Sequence, residues 1–223
     1  MLLGFDDEIE KAFIADRIRD VPEACSYAAL IRSRNPPEGM STFNLWGRFH
    51  GTDVGNDLVD AARGAIARCA TRMLGGPDAD PPLAAGGDVA RALPQGAALT
   101  RGIAGIRAFA ADLPGWAARP DAAWVASFNA RCIEKFGNGG GNFRRLYAGF
   151  LEWARGLDPA LVPDGAAALC VRAADGWTAI AECLGRASET VADTGAWRSA
   201  AKRAAEVADV EQELFERLAD RSG

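Results

Sequence analysis

Histidine, basic charge and long apolar runs are all scarce in this chain of 223 residues. His50 is the only histidine, so a histidine-rich metal site is excluded, and a catalytic dyad within the chain would have to use that residue. Acidic residues outnumber basic ones by 30 to 25, and this balance argues against a nucleic-acid partner bound through a broad basic face. No apolar run approaches the roughly 18 residues of a membrane-spanning helix, so we expect no membrane partner.

Paired cysteine motifs and an export signal are missing as well. The five cysteines are odd in number, widely spaced and without a Cys-x-x-Cys motif; they are Cys25, Cys69, Cys132, Cys170 and Cys183. The start of the chain, MLLGFDDEIEK, has neither a basic segment nor an apolar core of signal-peptide length. We therefore expect a cytoplasmic protein with free thiols packed in its core, and we predict neither a metal nor a cofactor.

The larger part of the chain has the pattern of amphipathic helices. Alanine is abundant and β-branched residues are few, which favours helix. Apolar residues recur at three- and four-residue spacing, and the pattern predicts six helices that begin near residues 56, 99, 121, 142, 159 and 194. The apolar stripe of the last helix contains one acidic member, Glu211. We predict a mainly α fold, an antiparallel bundle of about six helices over residues 56–221.

The first 50 residues show a different pattern and form a separate predicted domain. Two short apolar strands, Met1–Phe5 and Lys11–Ala15, flank an acidic turn and predict a β-hairpin. Two strands alone are marginal in water, and no third strand of similar quality follows in the sequence. Either the hairpin belongs to a larger sheet outside this chain, or helices of the chain cover it. A short helix is predicted over residues 24–34, followed by an extended segment.

The strongest local motif is FGNGGGNFRRLY, which places three glycines directly before a helix. Gly139, Gly140 and Gly141 can adopt conformations closed to other residues and expose their amides, and the helix start adds partial positive charge. Arg144 and Arg145 follow in the first turn, where cations are unfavourable, so we expect a nearby anion or carboxylate. The motif is therefore either an anion-binding site or a tight helix–helix corner whose arginines pair with acidic residues of the bundle.

Two further groups of residues contain the elements of a thiol-based site. Asp16 ends the second strand, where a carboxylate can orient a histidine, although from the residues alone a turn or a salt bridge to Arg17 or Arg19 is the better explanation. Cys25, His50 and Asp53 would complete a thiol enzyme. However, Cys25 is expected inside the short helix and not at its start, where its pKa would be lowered. A packed cysteine and a surface histidine are the simpler interpretation.

Two stretches of the chain resemble the butirosin-biosynthesis protein H (BtrH) family. The segment from Met1 to Arg34 is similar to the end of that family's N-terminal domain, where a strand-turn-strand leads to an Ala-Asp pair, here Ala15 and Asp16. The segment GNGGGNFRRLYAGFLEWA resembles the signature of the family's helical C-terminal domain. The matching residues are Gly139, Gly140, Gly141, Phe143, Arg144, Tyr147, Phe150 and Leu151.

The resemblance implies an acyltransferase with a papain-like cysteine mechanism. Such an enzyme moves an acyl group from a carrier-protein thioester to an amine, of an aminoglycoside or another secondary-metabolite acceptor. In that interpretation Asp16 orients a histidine. The glycine loop, with Asn142, Phe143, Arg144 and Tyr147, lines the site or holds carrier phosphopantetheine or a substrate carboxylate. An acyl carrier protein or acyl thioester and an amine acceptor are the implied partners.

The catalytic cysteine and histidine of that family have no match in this chain. The hairpin is therefore interpreted as left over from a papain-like α+β domain, and the chain is expected to be inactive alone, with the nucleophile supplied in cis or in trans. The alternative is a non-catalytic helical module that binds a partner subunit or carrier protein, or that mediates oligomerisation. An acidic chain does not complement an acidic carrier protein over a broad face, although a local basic patch could. Association into a homo-oligomer stays open.

Overall fold

The computed structural model describes residues 2–15, 21–34, 57–75, 100–136 and 139–220. The chain divides into two compact units, Met1–Val54 and Gly55–Gly223. This division falls between the two predicted domains. None of the helices in the described ranges is both long and apolar enough to cross a membrane.

The first unit contains a three-stranded antiparallel sheet with the order β1-β2-β3. Its strands are β1 (Leu2–Asp6), β2 (Lys11–Ile14) and β3 (Glu23–Ser26), and helix α1 (Tyr27–Arg34) follows directly. The prediction that no third strand follows the hairpin was wrong. The four residues of β3 carry no β-branched side chain, and pairing with β2 stabilises a strand that their own propensity does not indicate.

The third strand also corrects the predicted start of the short helix. Helix α1 begins at Tyr27 rather than at residue 24, and the Ser26 hydroxyl accepts a hydrogen bond from the Ala29 N–H at 3.2 Å, which caps its first turn. Cys25 therefore lies in a strand, opposite Ala12. A hairpin of only two strands was expected to need a larger sheet or a covering helix. That expectation does not apply here, because β2 pairs with β1 on one side and with β3 on the other.

The second unit is helical, as predicted, and contains six α-helices within its described residues. They are α2 (Leu58–Leu74), α3 (Gly102–Asp112), α4 (Ala122–Glu134), α5 (Arg144–Leu157), α6 (Ala166–Glu189) and α7 (Thr194–Asp220). Short 3-10 segments follow α3 at Leu113–Ala118 and precede α6 at Pro159–Leu161. The Asp57 carboxylate caps α2 by accepting a hydrogen bond from the Asp60 N–H at 2.9 Å.

The long helices α6 and α7 form the centre of the bundle. Helix α6 packs against α4, α5 and α7, and α7 in turn packs against α2 and α3. The two are antiparallel, because Gly176 of α6 lies against Val207 of α7 and these residues are equally far from the turn at 190–193. Ala173, Ala174 and Ala204 are completely buried, and their small side chains allow close approach of the helices.

Candidate functional site

The glycine loop before α5 has an unusual backbone. Five consecutive residues have positive φ, from Gly139 at 69°, Gly140 at 83° and Gly141 at 59° to Asn142 at 50° and Phe143 at 68°. Glycine adopts this region at no steric cost and asparagine tolerates it, whereas a bulky aromatic residue such as Phe143 is strained there. The three glycines therefore adopt the left-handed conformations that the motif predicted, and the backbone strain is concentrated at Phe143, the residue directly before α5.

The loop lies directly on α6 and is tied to α4. A Cβ added at Gly141 would come within 2.9 Å of the Ala174 backbone, so only glycine fits. Glu134, near the end of α4, accepts hydrogen bonds from the Gly141 N–H at 3.1 Å and from the Thr178 hydroxyl at 2.8 Å. The Asn142 N–H donates to the Ile133 carbonyl at 2.9 Å. The anion that the Gly141 amide binds is thus a carboxylate of the protein itself.

Arg144 makes a bidentate ion pair with Glu211 of α7. Its Nε donates to Oε1 at 2.8 Å and its Nη2 to Oε2 at 2.7 Å, and the Trp177 indole N–H donates to the same Oε1 at 2.7 Å. Glu211 is 0% exposed, so its charge depends on these three donors. Although burial lowers the pKa of Arg144, the hydrogen bonds and the charge of Glu211 raise it above its ordinary value.

The second arginine of the motif is paired as well. The Arg145 Nη1 lies 3.0 Å from an Asp175 carboxylate oxygen, and its Nη2 donates to the Thr178 hydroxyl at 3.2 Å. Both arginines thus have the acidic partners that a helix–helix corner requires. A role in ligand binding rests on the part of Arg144 that stays accessible: its side chain is 18% exposed, and its guanidinium lies over the Trp177 ring at 5.9 Å.

Two thiols and a phenol lie beside this ion pair. The Cys170 thiol donates to the Arg144 carbonyl at 3.1 Å, and burial raises its pKa to about 12. Burial also raises the pKa of Cys69. The Tyr147 hydroxyl is buried without a hydrogen-bond partner among the described residues, and its pKa is raised by burial and then by the neighbouring Cys69. Cys69 and Cys170 are therefore protonated at neutral pH and are poor nucleophiles.

A cleft of about 270 Å³ opens next to the accessible side of Arg144. Its lining comes from the end of α2, from residues 100–109 before and within α3, from the glycine loop with the first residue of α5, and from α6. It includes Met73, Arg101, Phe109, Asn142, Arg144 and Trp177. Phe109 and Trp177 are stacked with their ring centroids 6.2 Å apart and form an aromatic wall. Two arginines beside a flat apolar surface suit a small ligand that carries an anionic group.

The structure separates the predicted site residues into three groups. Asn142 and Arg144 line the cleft, whereas the side chain of Phe143 is 51% exposed and Tyr147 packs against Phe150. Gly139, Gly140 and Gly141 shape the loop. Asp16, His50 and Asp53 lie outside the described residues. The described residues contain no group of three or more His, Cys, Asp or Glu side chains that could hold a metal ion.

Sequence reasoning missed the partners that complete the site. Glu211 was visible as the one acid in an apolar stripe, which is the signal of a buried charge that needs a cation. The sequence gives no sign that the Trp177 indole donates to Glu211. It also does not link Glu134 with Thr178, because they are 44 residues apart and meet through tertiary structure alone.

The chain belongs to the DUF4872 family, a domain of unknown function, whose model matches residues 32–218. The match includes the glycine loop, the cleft and all six helices of the second unit except the last two residues of α7, and it leaves out the sheet of the first unit. Neither the search of curated proteins nor that of solved structures found a match.

Proposed function

We propose that this chain is the helical, ligand-holding part of a BtrH-like acyltransferase whose cysteine nucleophile lies outside the described residues. The observation that carries the proposal is the cleft in which Arg144 and Arg101 stand beside the stacked rings of Phe109 and Trp177. The resemblance of the glycine motif to the BtrH family supplies the reaction class. A helical fold by itself would not indicate a reaction class, because many proteins of different function share such a fold.

The charge of the cleft favours the acyl donor over the amine acceptor as its ligand. A protonated amine would meet two arginines, whereas the phosphate of carrier phosphopantetheine would be attracted to them. The apolar part of the pantetheine arm would lie on the aromatic wall. Arg144 is paired with Glu211, and Arg101 adds a second guanidinium to this local basic patch, which an acidic carrier protein complements.

In the proposed reaction a cysteine thiolate attacks the thioester carbonyl, and the carrier's thiol leaves as the acyl–enzyme bond forms. The acceptor amine then attacks the acyl–enzyme carbonyl, so that an amide is released and the cysteine regains its thiol. Cys69 and Cys170 do not serve as this nucleophile, because burial raises the pKa of both. The chain's own part is to bind and orient the donor.

Titration of the chain with 4′-phosphopantetheine tests the binding step, with Trp177 as a fluorescent reporter in the cleft. We expect saturable quenching that Arg101→Gln weakens about tenfold, the effect of one lost charge-assisted contact. Arg107→Gln is the control, because Arg107 is not one of the described residues that line the cleft and it pairs with Asp209 at 2.8 Å. Equal loss in both variants, or no quenching at all, would contradict the proposed ligand.

Acyl transfer is tested by adding a separately expressed cysteine-peptidase-like domain of the BtrH family, with an acyl-carrier thioester and an amine. We expect an acyl–enzyme mass on the added domain and an amide product, and neither with the chain alone. Phosphopantetheine binding without transfer in any combination would instead favour the alternative, a non-catalytic module that binds a carrier protein. An acyl–enzyme on the chain alone would contradict the assignment of the nucleophile.

A further inference from the structure

Helix α5 has an apolar surface on the side that faces away from the bundle. Ala148, Leu151 and Ala154 are buried against the rest of the unit, as in any amphipathic helix. Leu146 and Trp153 are nevertheless 57% and 48% exposed. We define the outer face of α5 by six of its exposed residues, Arg145, Leu146, Gly149, Glu152, Trp153 and Gly156. Large apolar side chains on such a face are typical of a surface that binds another protein.

The residues of the outer face are arranged symmetrically about Gly149. Leu146 lies three residues before it and Trp153 four residues after it, while Arg145 lies four before and Glu152 three after. If a second copy of α5 runs in the opposite direction with Gly149 near the two-fold axis, Leu146 of one copy faces Trp153 of the other. The same rotation brings Arg145 opposite Glu152. Each side chain thus meets one of complementary size or charge.

The packing of the described residues does not require the two glycines of α5. Glycine within a helix costs about 1 kcal/mol relative to alanine. A Cβ added at Gly149 or at Gly156 would meet nothing within 4 Å, so the packing of this unit does not require either residue. Against a second helix, however, a glycine near the crossing point allows the two backbones to approach closely, and the large side chains on either side can then reach across.

The charges favour an antiparallel partner of the same sequence. Arg145 is 41% exposed despite its contact with Asp175, and Glu152 is exposed and forms no ion pair with any other described residue. The two lie seven residues apart, on the same flank of the helix. In an antiparallel pair the same flanks meet, which gives two Arg–Glu contacts, whereas in a parallel pair opposite flanks meet and the charged flank would face the apolar flank of Leu146 and Trp153.

From this arrangement we propose that the outer face of α5 is the interface of a homodimer, in which α5 packs antiparallel on α5 of a second copy with Gly149 close to the two-fold axis. The inference is independent of the proposed acyl transfer. A helix of 14 residues is about 21 Å long, so the contact is at the small end of specific interfaces. We therefore expect a dimer that dissociates on dilution.

Oxidative cross-linking of the full chain tests the position of the two-fold axis. A residue can be disulfide-linked to its own copy only when it lies near that axis, so Gly149→Cys should give a covalent dimer. Gly185→Cys is the matched control, because it is also a helical glycine whose added Cβ meets nothing within 4 Å. Both variants keep the five native cysteines. Equal cross-linking in the two variants would overturn the proposal.

Charge exchange tests the pairing across the interface by sedimentation of the full chain. Glu152→Arg and Arg145→Glu should each weaken self-association about tenfold, since like charges then face each other twice. A mixture of the two variants should restore it, because both contacts become Arg–Glu again. Glu182→Arg, an exposed change of the same kind on α6, is the control.

A wild-type chain that stays monomeric at every concentration, or that pairs only with a different protein, overturns the proposal. So does a mixture of Glu152→Arg and Arg145→Glu that associates no better than either variant alone. If Arg145→Glu fails to fold because it now faces Asp175, the cross-link and Glu152→Arg decide, since neither involves Asp175.

Discussion

At the scale of single residues, Glu211 is the one charged side chain among the described residues that is fully buried, and it pairs with Arg144. Glu211 is fully enclosed, and the desolvation of its carboxylate is offset by two guanidinium hydrogen bonds and one from Trp177. A buried pair of this kind contributes little net stability compared with apolar residues, but it is costly to break. The same ion pair holds the Arg144 guanidinium at the wall of the cleft, so a change that breaks the pair would affect both the stability of the bundle and the shape of the candidate site.

Replacement of Glu211 should therefore be severe. Glu211→Leu leaves the Arg144 cation unpaired, and we expect the free energy of unfolding to fall by about 3–5 kcal/mol in urea denaturation. Glu213→Gln is the control: Glu213 pairs with Arg217 at 2.6 Å on the exposed side of α7, and we expect a change of about 0.5 kcal/mol or less. The double variant Arg144→Met/Glu211→Leu should recover most of the loss. A mild effect of Glu211→Leu alone would show that the carboxylate is not buried as described.

The raised pKa of Cys170 predicts how stability depends on pH. The thiol titrates at about 12 in the native protein against an ordinary value of 9.0, so the native state keeps a proton that the unfolded chain releases. Its contribution is complete below pH 9 and is lost as the pH rises towards 12. We expect the free energy of unfolding, measured at a series of alkaline pH values, to fall less steeply in Cys170→Ala than in the wild type. Parallel curves would contradict the assignment.

At the scale of elements, the glycine loop determines where α5 begins and how it meets α6. Asn142 was predicted to start the helix, but Asn142 and Phe143 still have left-handed backbone, and the helix starts at Arg144. This delay brings the Arg144 side chain to Glu211. The 3-10 segment Pro159–Leu161 is a second case of a delayed helix start, because Pro159 was predicted to start a helix and α6 begins only at Ala166.

Gly141→Ala tests the loop. The new Cβ would lie 2.9 Å from the Ala174 backbone at a φ of 59°, so both the contact and the backbone conformation are unfavourable. We expect a loss of about 1–3 kcal/mol in the free energy of unfolding. The control is Gly185→Ala, where the Cβ has open space in the C-terminal part of α6 and should stabilise the protein by about 0.5–1 kcal/mol. A neutral Gly141→Ala would mean that the loop does not contact α6 in this way.

At the scale of the whole molecule, the two units differ in how much they bury. Ala12 is the one buried hydrophobic residue among the described residues of the first unit, whereas the second has a continuous core that extends from Ala62 to Leu218. Leu2, Leu3 and Phe5 of the sheet are each about half exposed. Burial of apolar area is the main driving force for folding, so the second unit has the means to fold by itself and the first has little.

Expression of the two units as fragments tests this difference. We expect residues 55–223 to unfold in one cooperative thermal transition by circular dichroism, because the fragment contains the complete helical core. Residues 1–54 alone should show a broad, non-cooperative change. A cooperative transition in the smaller fragment would require a core that the described residues do not show.

The sequence by itself determined the helical class, the start of α2 to within two residues, the start of α7 at Thr194 and the conformational freedom of the glycine triplet, because these follow from spacing, capping and backbone sterics over a few residues. It did not determine β3, whose four residues become a strand only through pairing with β2. Nor did it determine that Arg144 meets Glu211 and that Glu134 accepts from Gly141, since the first pair is 67 residues apart and the cleft beside it draws on four segments. Helix periodicity, capping and backbone sterics act between neighbouring residues and can be inferred from the sequence. The partner of the buried Glu211 charge depends on how distant helices pack, which only the tertiary structure shows.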